Sequence, residues 1–225
     1  MSPHRLLVPL VAAVLIGIGA GPALAHGFTS TVYADVSGAD DGHVRTELEL
    51  EYDLFVVSAA DYGKDDGLFQ EGTAAFEAGD EQAQAAALDA HATAAVGYVT
   101  DRFTITAGGE ACVPVPVGGF RMGTQENVPY TTLTLDWTCP VDGGHEVRSG
   151  LFPESEEYVR DTTTKVTYDL AGERGSAVLN AGTPVLTLGG TPVLVVTAAV
   201  IVLLIAVSTM VLLLRRRRAS GVRHQ

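Results

Sequence analysis

His43-Val44-Arg45-Thr46-Glu47-Leu48-Glu49-Leu50-Glu51-Tyr52-Asp53-Leu54 alternates almost without exception. Val44, Leu48, Leu50, Tyr52 and Leu54 occupy even positions, and Arg45, Glu47, Glu49, Glu51 and Asp53 the odd ones between them. A period of two is the signature of a strand with one face on a core and one in water. The pattern predicts a strand over residues 43–57. Just before it, Gly38-Ala39-Asp40-Asp41-Gly42 is turn chemistry. Before that, Phe28, Val32, Tyr33 and Val36 stand among threonines and serines. Residues 28–37 therefore read as a strand, and the two segments as a hairpin.

The chain changes character over residues 61–101, which are rich in Ala, Glu, Gln and Asp and poor in β-branched residues. A short helix is expected within 67–78 and a longer one from about 81 to 99, with Asp80 as the second helix's cap. Ala83, Ala87, Leu88, Ala95, Tyr98 and Val99 form its apolar stripe, and His91 lies near that stripe. Strand patterns then return at 103–106, 112–117, 130–139, 145–151 and 162–170, with Gly108-Gly109 and Gly143-Gly144 at turns. Some seven short strands with one helical insertion predict an α+β fold, a β-sandwich-like exported domain over 26–170. Residues 171–191, rich in Gly, Ala and Thr, read as a linker.

Both ends of the chain are apolar. Residues 192–214 contain no charge. As a helix they would reach about 34 Å, against a hydrocarbon core of ~30 Å. Arg215, Arg216, Arg217 and Arg218 follow at once, as a stop-transfer cluster does on the cytoplasmic side. The expectation is a single transmembrane helix over 192–214, contacting the lipid bilayer, with a basic cytoplasmic tail over 215–225. A buried core helix is the competing reading. At the other end, His4 and Arg5 precede an apolar segment, and Ala23-Leu24-Ala25 has the small-x-small form of a cleavage site. Residues 1–25 therefore read as a signal peptide, or alternatively as an uncleaved anchor. Either way the middle of the chain lies outside the cell membrane, held by one C-terminal helix.

The exported part holds all 27 acidic residues and eight of the 14 basic ones, a net charge of −19. Such a surface repels nucleic acid and anionic headgroups, and favours cations or basic partners. Its two cysteines, Cys112 and Cys139, lie in a compartment that permits oxidation. A disulfide between them would contribute ~3–4 kcal/mol in the chain-entropy model. A two-thiol metal site is the competing reading. The chain lacks a Gly-x-Ser-x-Gly elbow, His-Glu-x-x-His, Cys-x-x-Cys, a Walker A loop and Gly-x-Gly-x-x-Gly. The acidic run 61–71 departs from a calcium loop at Asp66 and Gly72. No enzyme is expected.

Cleavage after Ala25 would leave histidine at the mature N-terminus. The α-amino nitrogen and imidazole of His26 can together chelate a transition metal, and such ligation suits Cu or Ni. His43, His91 and His145 are the candidates for a further ligand.

Four stretches carry a resemblance. They are His26-Gly27-Phe28-Thr29-Ser30-Thr31-Val32-Tyr33-Ala34-Asp35, Glu51-Tyr52-Asp53-Leu54-Phe55-Val56-Val57-Ser58-Ala59-Ala60, His145-Glu146-Val147-Arg148-Ser149-Gly150-Leu151-Phe152-Pro153 and Val166-Thr167-Tyr168-Asp169-Leu170. Together they resemble the extracytoplasmic N-terminal domain of actinobacterial HupE/UreJ-like membrane proteins. The resemblance implies an exported domain and a connection with nickel or a related metal. That family's transport chemistry is assigned to a multi-helix membrane part with a His-x5-Asp-His type motif, which this chain replaces with one span. The resemblance supplies no ligand set for His43, His91 or His145. The sequence thus leads to a single-pass extracytoplasmic binding module that takes Cu or Ni or assists a membrane transporter. The alternative is a structural or protein-interaction ectodomain without ligand chemistry.

Overall fold

Strand β1 (Phe28–Gly38) and strand β2 (His43–Glu51) form the expected antiparallel hairpin, with Gly38 opposite Val44 and Tyr33 opposite Glu49. This computed structural model describes residues 28–38, 42–139 and 143–189. The alternation reads as the sequence predicts: Val44, Thr46, Leu48 and Leu50 are buried, while Arg45 and Glu47 are exposed. The strand, however, stops at Glu51. Tyr52 begins helix α1 (Tyr52–Gly63) with no intervening loop. Tyr52, Phe55, Val56, Ala59 and Ala60 then follow helical spacing, and all five are buried. Three apolar positions continued the strand pattern by coincidence, and the larger gain from a buried helical face decided the conformation.

Helices α2 (Asp66–Ala78), α3 (Glu81–Ala90) and α4 (Ala92–Arg102) complete the helical layer. Asp65 caps α2, accepting from the Leu68 amide at 3.0 Å, and Asp80 caps α3 through the Ala83 amide at 3.0 Å. The expected long helix over 81–99 is broken at His91, which closes α3 and opens α4. This bend keeps Leu88 and the Ala95–Tyr98–Val99 face on the same core.

Seven further strands belong to β3 (Phe103–Ala107), β4 (Glu110–Ala111), β5 (Val113–Pro116), β6 (Arg121–Gln125), β7 (Val128–Thr138), β8 (His145–Ser149) and β9 (Val159–Leu170). Residues 171–191 are not simply a linker, because β10 (Glu173–Leu179) and β11 (Val185–Leu188) lie within them. Strand β10 closes a hairpin with β9, and β11 pairs with β8. Leu179 and Leu188 are buried, so both strands contribute to the core.

The larger sheet has the order β10-β9-β1-β2-β7-β5, with β6 also on β7; the smaller is β11-β8-β3-β4. Pairing is antiparallel except between β1 and β9, which run parallel. The larger sheet's inner face meets the helices and the smaller sheet. Phe103 packs on Trp137 at 6.3 Å between ring centres, and the Trp137 indole N–H donates to the Thr46 hydroxyl at 2.9 Å. The Ser149 and Thr164 hydroxyls bond across the two sheets at 2.7 Å. The architecture is α+β with mixed sheets. Among the described residues, no helix is long and apolar enough to cross a membrane. Residues 192–214, where the span is expected, lie outside the described residues, as do the signal peptide and the basic tail.

Candidate binding face

The odd-numbered residues of β1, of β2 and, from Asp161 onward, of β9 point away from the core onto the outer face of the larger sheet. Register places Tyr33 beside Glu49 on one side and Lys165 on the other, and Asp35 between Glu47 and Thr167. Gln125 of β6 and Ser176, Ala177 and Val178 of β10 help to line a recess on this face. The concavity has a volume of about 810 Å³ and is open to solvent. Tyr33, Asp35, Glu47, Glu49, Lys165 and Val178 are among the residues that line it.

Its side chains hold one another in place. The Gln125 amide donates to Glu49 at 2.6 Å, and Arg121 pairs with Glu47 at 3.0 Å. The Thr167 hydroxyl donates to Asp35 at 2.8 Å. Lys165 lies 5.1 Å from the centre of the Tyr33 ring, a cation held against an aromatic face. Tyr33 in turn meets Tyr130 edge-on at 5.8 Å. The Tyr130 hydroxyl donates to the Thr31 carbonyl at 2.9 Å, and burial pushes its pKa up to about 12, so it remains a neutral donor. Toward the far end of β2, burial and then neighbouring Asp53 raise the Glu51 pKa, while the Ser30 hydroxyl at 3.2 Å partly offsets them. Carboxylates, hydroxyls and an aromatic ring that already accepts a cation make a surface suited to cationic, hydrogen-bonding ligands.

The histidines singled out in the sequence are not brought together. His43 opens β2 on the outer face, with Nδ1 at 3.2 Å from Asp136. His91 stands at the joint between α3 and α4, with Nδ1 at 2.8 Å from Asp65 and Nε2 at 3.5 Å from Glu71. Its two ring nitrogens address carboxylates on opposite sides, which is an ion-pair arrangement rather than a shared metal site. The Asp65 hydrogen bond raises the His91 pKa most, with partial burial opposing it. His145 opens β8 in the smaller sheet. Its Nδ1 is buried with no hydrogen-bond partner among the described residues, and burial lowers its pKa. Among the described residues, no group of three or more His, Cys, Asp or Glu is arranged to hold a metal. His26 and Arg215–Arg218 lie outside the described residues.

Cys112 and Cys139 are bonded. Cys112 precedes β5 and Cys139 follows β7, where Val113 and Thr138 are register partners, so the bond ties neighbouring strands. This outer face is only half legible in the sequence. Alternation marks Glu47 and Glu49 as outward, but nothing local says that Lys165 and Tyr33 stand beside them. No protein-family model matches the chain, and a search of curated proteins finds no match for it.

Proposed function

We propose that the chain is a single-pass, membrane-anchored extracytoplasmic binding module. The apolar run 192–214 with its four arginines, and the cleavable-type leader, support the topology. The observation that carries the binding role is the open acidic concavity on the outer sheet face, with Asp35, Glu47, Glu49 and Tyr33 on its surface. Its chemistry fits a cationic ligand or a basic segment of a protein partner, such as a membrane transporter. The test is calorimetric titration of residues 26–189 with a short oligolysine peptide. Binding should weaken several-fold in Glu47→Gln/Glu49→Gln and with added salt. Binding indifferent to both changes would remove the sheet face from the function.

A second reading is Cu or Ni capture through His26. It is favoured by the recess beside the start of β1, where Phe28 pairs with Val159 and where Glu51 and Asp53 supply carboxylates. One-to-one uptake of Cu(II) or Ni(II) that His26→Ala abolishes would support it. Weak multi-site uptake unaffected by that substitution would leave a protein-interaction ectodomain without metal chemistry. The separation of His43, His91 and His145, each in different surroundings, favours that outcome.

A further inference from the structure

Helices α1 and α2 pack tightly and leave an apolar surface on their outer side. Gly72 of α2 meets Val56 of α1 so closely that an added methyl would stand 2.7 Å from the Val56 Cγ1. The Tyr52 hydroxyl donates to the Gly72 carbonyl at 3.2 Å, and the Tyr52 ring stacks on Phe76 at 6.1 Å. These contacts fix the two helices against each other, so the surface they present is formed in advance.

A recess of about 300 Å³ lies between them, lined by Val56 and Val57 of α1 and by Phe69, Thr73 and Phe76 of α2. Phe69, Thr73 and Phe76 recur at helical spacing and so share one face of α2. A second recess, of about 260 Å³, is lined by Leu54 and Val57 of α1 and by Tyr158 and Val159 where β9 begins. Asp53 and Val57 line both. They stand one turn apart, with Tyr52 and Val56 to one side of them on the helix and Leu54 to the other, so they form a ridge between the recesses. Each recess is at or below the lower end of the ~300–1,000 Å³ of small-molecule pockets, a size for single side chains rather than for a cofactor.

Phe69 is 47% exposed and Tyr158 36%. Leu54, Val57 and Phe76 are half-buried. Apolar side chains grouped in this way leave surface that a partner can remove from water. The charge around them is of one sign. Among the described residues, the charged ones lining the two recesses are Glu51, Asp53 and Glu77. Burial first, and then the charge of Asp53, raise the Glu51 pKa, and a cation beside the pair would oppose the second cause. An apolar floor with an acidic rim is complementary to a partner that is apolar on one side and basic along its flanks.

We propose that this surface docks a basic amphipathic helix of a partner protein. Apolar side chains on one face of that helix fill the recesses on either side of the Asp53–Val57 ridge, and its Lys or Arg residues face Glu51, Asp53 and Glu77. Phe69 is the main apolar anchor, since it is the most exposed of the large side chains there. The surface belongs to the helical layer, across the larger sheet from the acidic concavity, so the two sites stand or fall separately.

The test uses the full chain, with its disulfide intact, in phosphatidylcholine nanodiscs, with empty discs as the blank. The probe is a fluorescent peptide of about 18 residues, with Leu at i, i+3, i+4 and i+7 and Lys elsewhere, beside a scrambled peptide of the same composition. The patterned peptide should bind several-fold more tightly than the scrambled one. Phe69→Ala and Glu77→Lys, both at exposed positions on α2, should each weaken its binding by about tenfold. Glu47→Gln/Glu49→Gln, on the sheet face, should leave it unchanged. Equal affinity for the two peptides, no binding of either, or binding indifferent to Phe69→Ala and Glu77→Lys overturns the proposal. Loss only in Glu47→Gln/Glu49→Gln also overturns it, while leaving the sheet-face reading intact. Pairing of wild-type discs that Phe69→Ala abolishes would assign the surface to a second copy of this chain and overturn the proposal as well.

Discussion

Phe152 is buried at φ +48, a left-handed backbone conformation that a bulky residue rarely adopts. Tyr98 explains how it is held. The Tyr98 hydroxyl accepts the Phe152 N–H at 3.0 Å and donates to Glu156 at 3.0 Å. Burial, and then the Glu156 charge, push the Tyr98 pKa upward, so the hydroxyl stays protonated. Arg102 covers the ring at 4.3 Å and pairs with Glu156 at 2.7 Å. Tyr98→Phe leaves the Phe152 amide without its acceptor and should cost ~1–3 kcal/mol in urea denaturation. An unchanged midpoint would show that the hydroxyl does not hold this turn. His91 carries the pH dependence at this scale. Its folded pKa is raised above the ordinary value of 6.5, first by Asp65. The Asp65 pKa is itself lowered, first by the Leu68 amide and then by His91, so its carboxylate persists into acid. The His91 contribution is therefore full below pH 6.5 while Asp65 remains ionised, and it is lost as pH rises through the raised value. His91→Gln should lower Tm at pH 5.5 and have a smaller effect at pH 9. Equal losses at both pH values would mean that His91 acts by packing alone.

At the scale of elements, packing overrides local preference in several places. Gly72 lies inside α2, where alanine would ordinarily gain ~1 kcal/mol of helix propensity. Here an added methyl would come within 2.7 Å of the Val56 Cγ1, and Val56 is buried in α1. Gly72→Ala should therefore destabilise, by ~1–3 kcal/mol, by forcing α1 and α2 apart. A gain in stability would mean that the helices separate freely. Reducing the disulfide, or replacing Cys112 and Cys139 with alanine, should lower stability by ~3–4 kcal/mol through the reopened loop; urea titration with and without reductant measures it. The same competition explains which elements could be read beforehand. β1, β7, α2 and the Asp80 cap follow from alternation and capping chemistry within a few residues. The end of β2 at Glu51 does not, because Tyr52–Leu54 satisfy both periods. The break at His91 does not either, since its partners Asp65 and Glu71 lie some 20 residues or more away in sequence.

For the whole molecule, the folding of residues 173–188 has the largest experimental consequence. A chain ending at residue 170 removes β10 and β11, leaves one edge of β9 and one edge of β8 unpaired, and loses Leu179 and Leu188 from the core. It should aggregate or show poorly dispersed amide resonances, while a chain ending at residue 189 should be monodisperse and cooperative. Equal dispersion in both would return these residues to the status of a linker. The amino-acid order by itself determined the apolar ends, the acidic balance of the stretch between them, the hairpin at the start and the alternation that gives each strand an inner and an outer face. These are properties of neighbours in sequence, where hydrophobicity and turn chemistry act directly. Only the tertiary structure decided that β9 lies parallel to β1, that Lys165 covers Tyr33, that the histidines stay apart, and that the supposed linker is core. Those facts depend on pairing across long loops, where the best burial of the whole set, and no local pattern, selects the register.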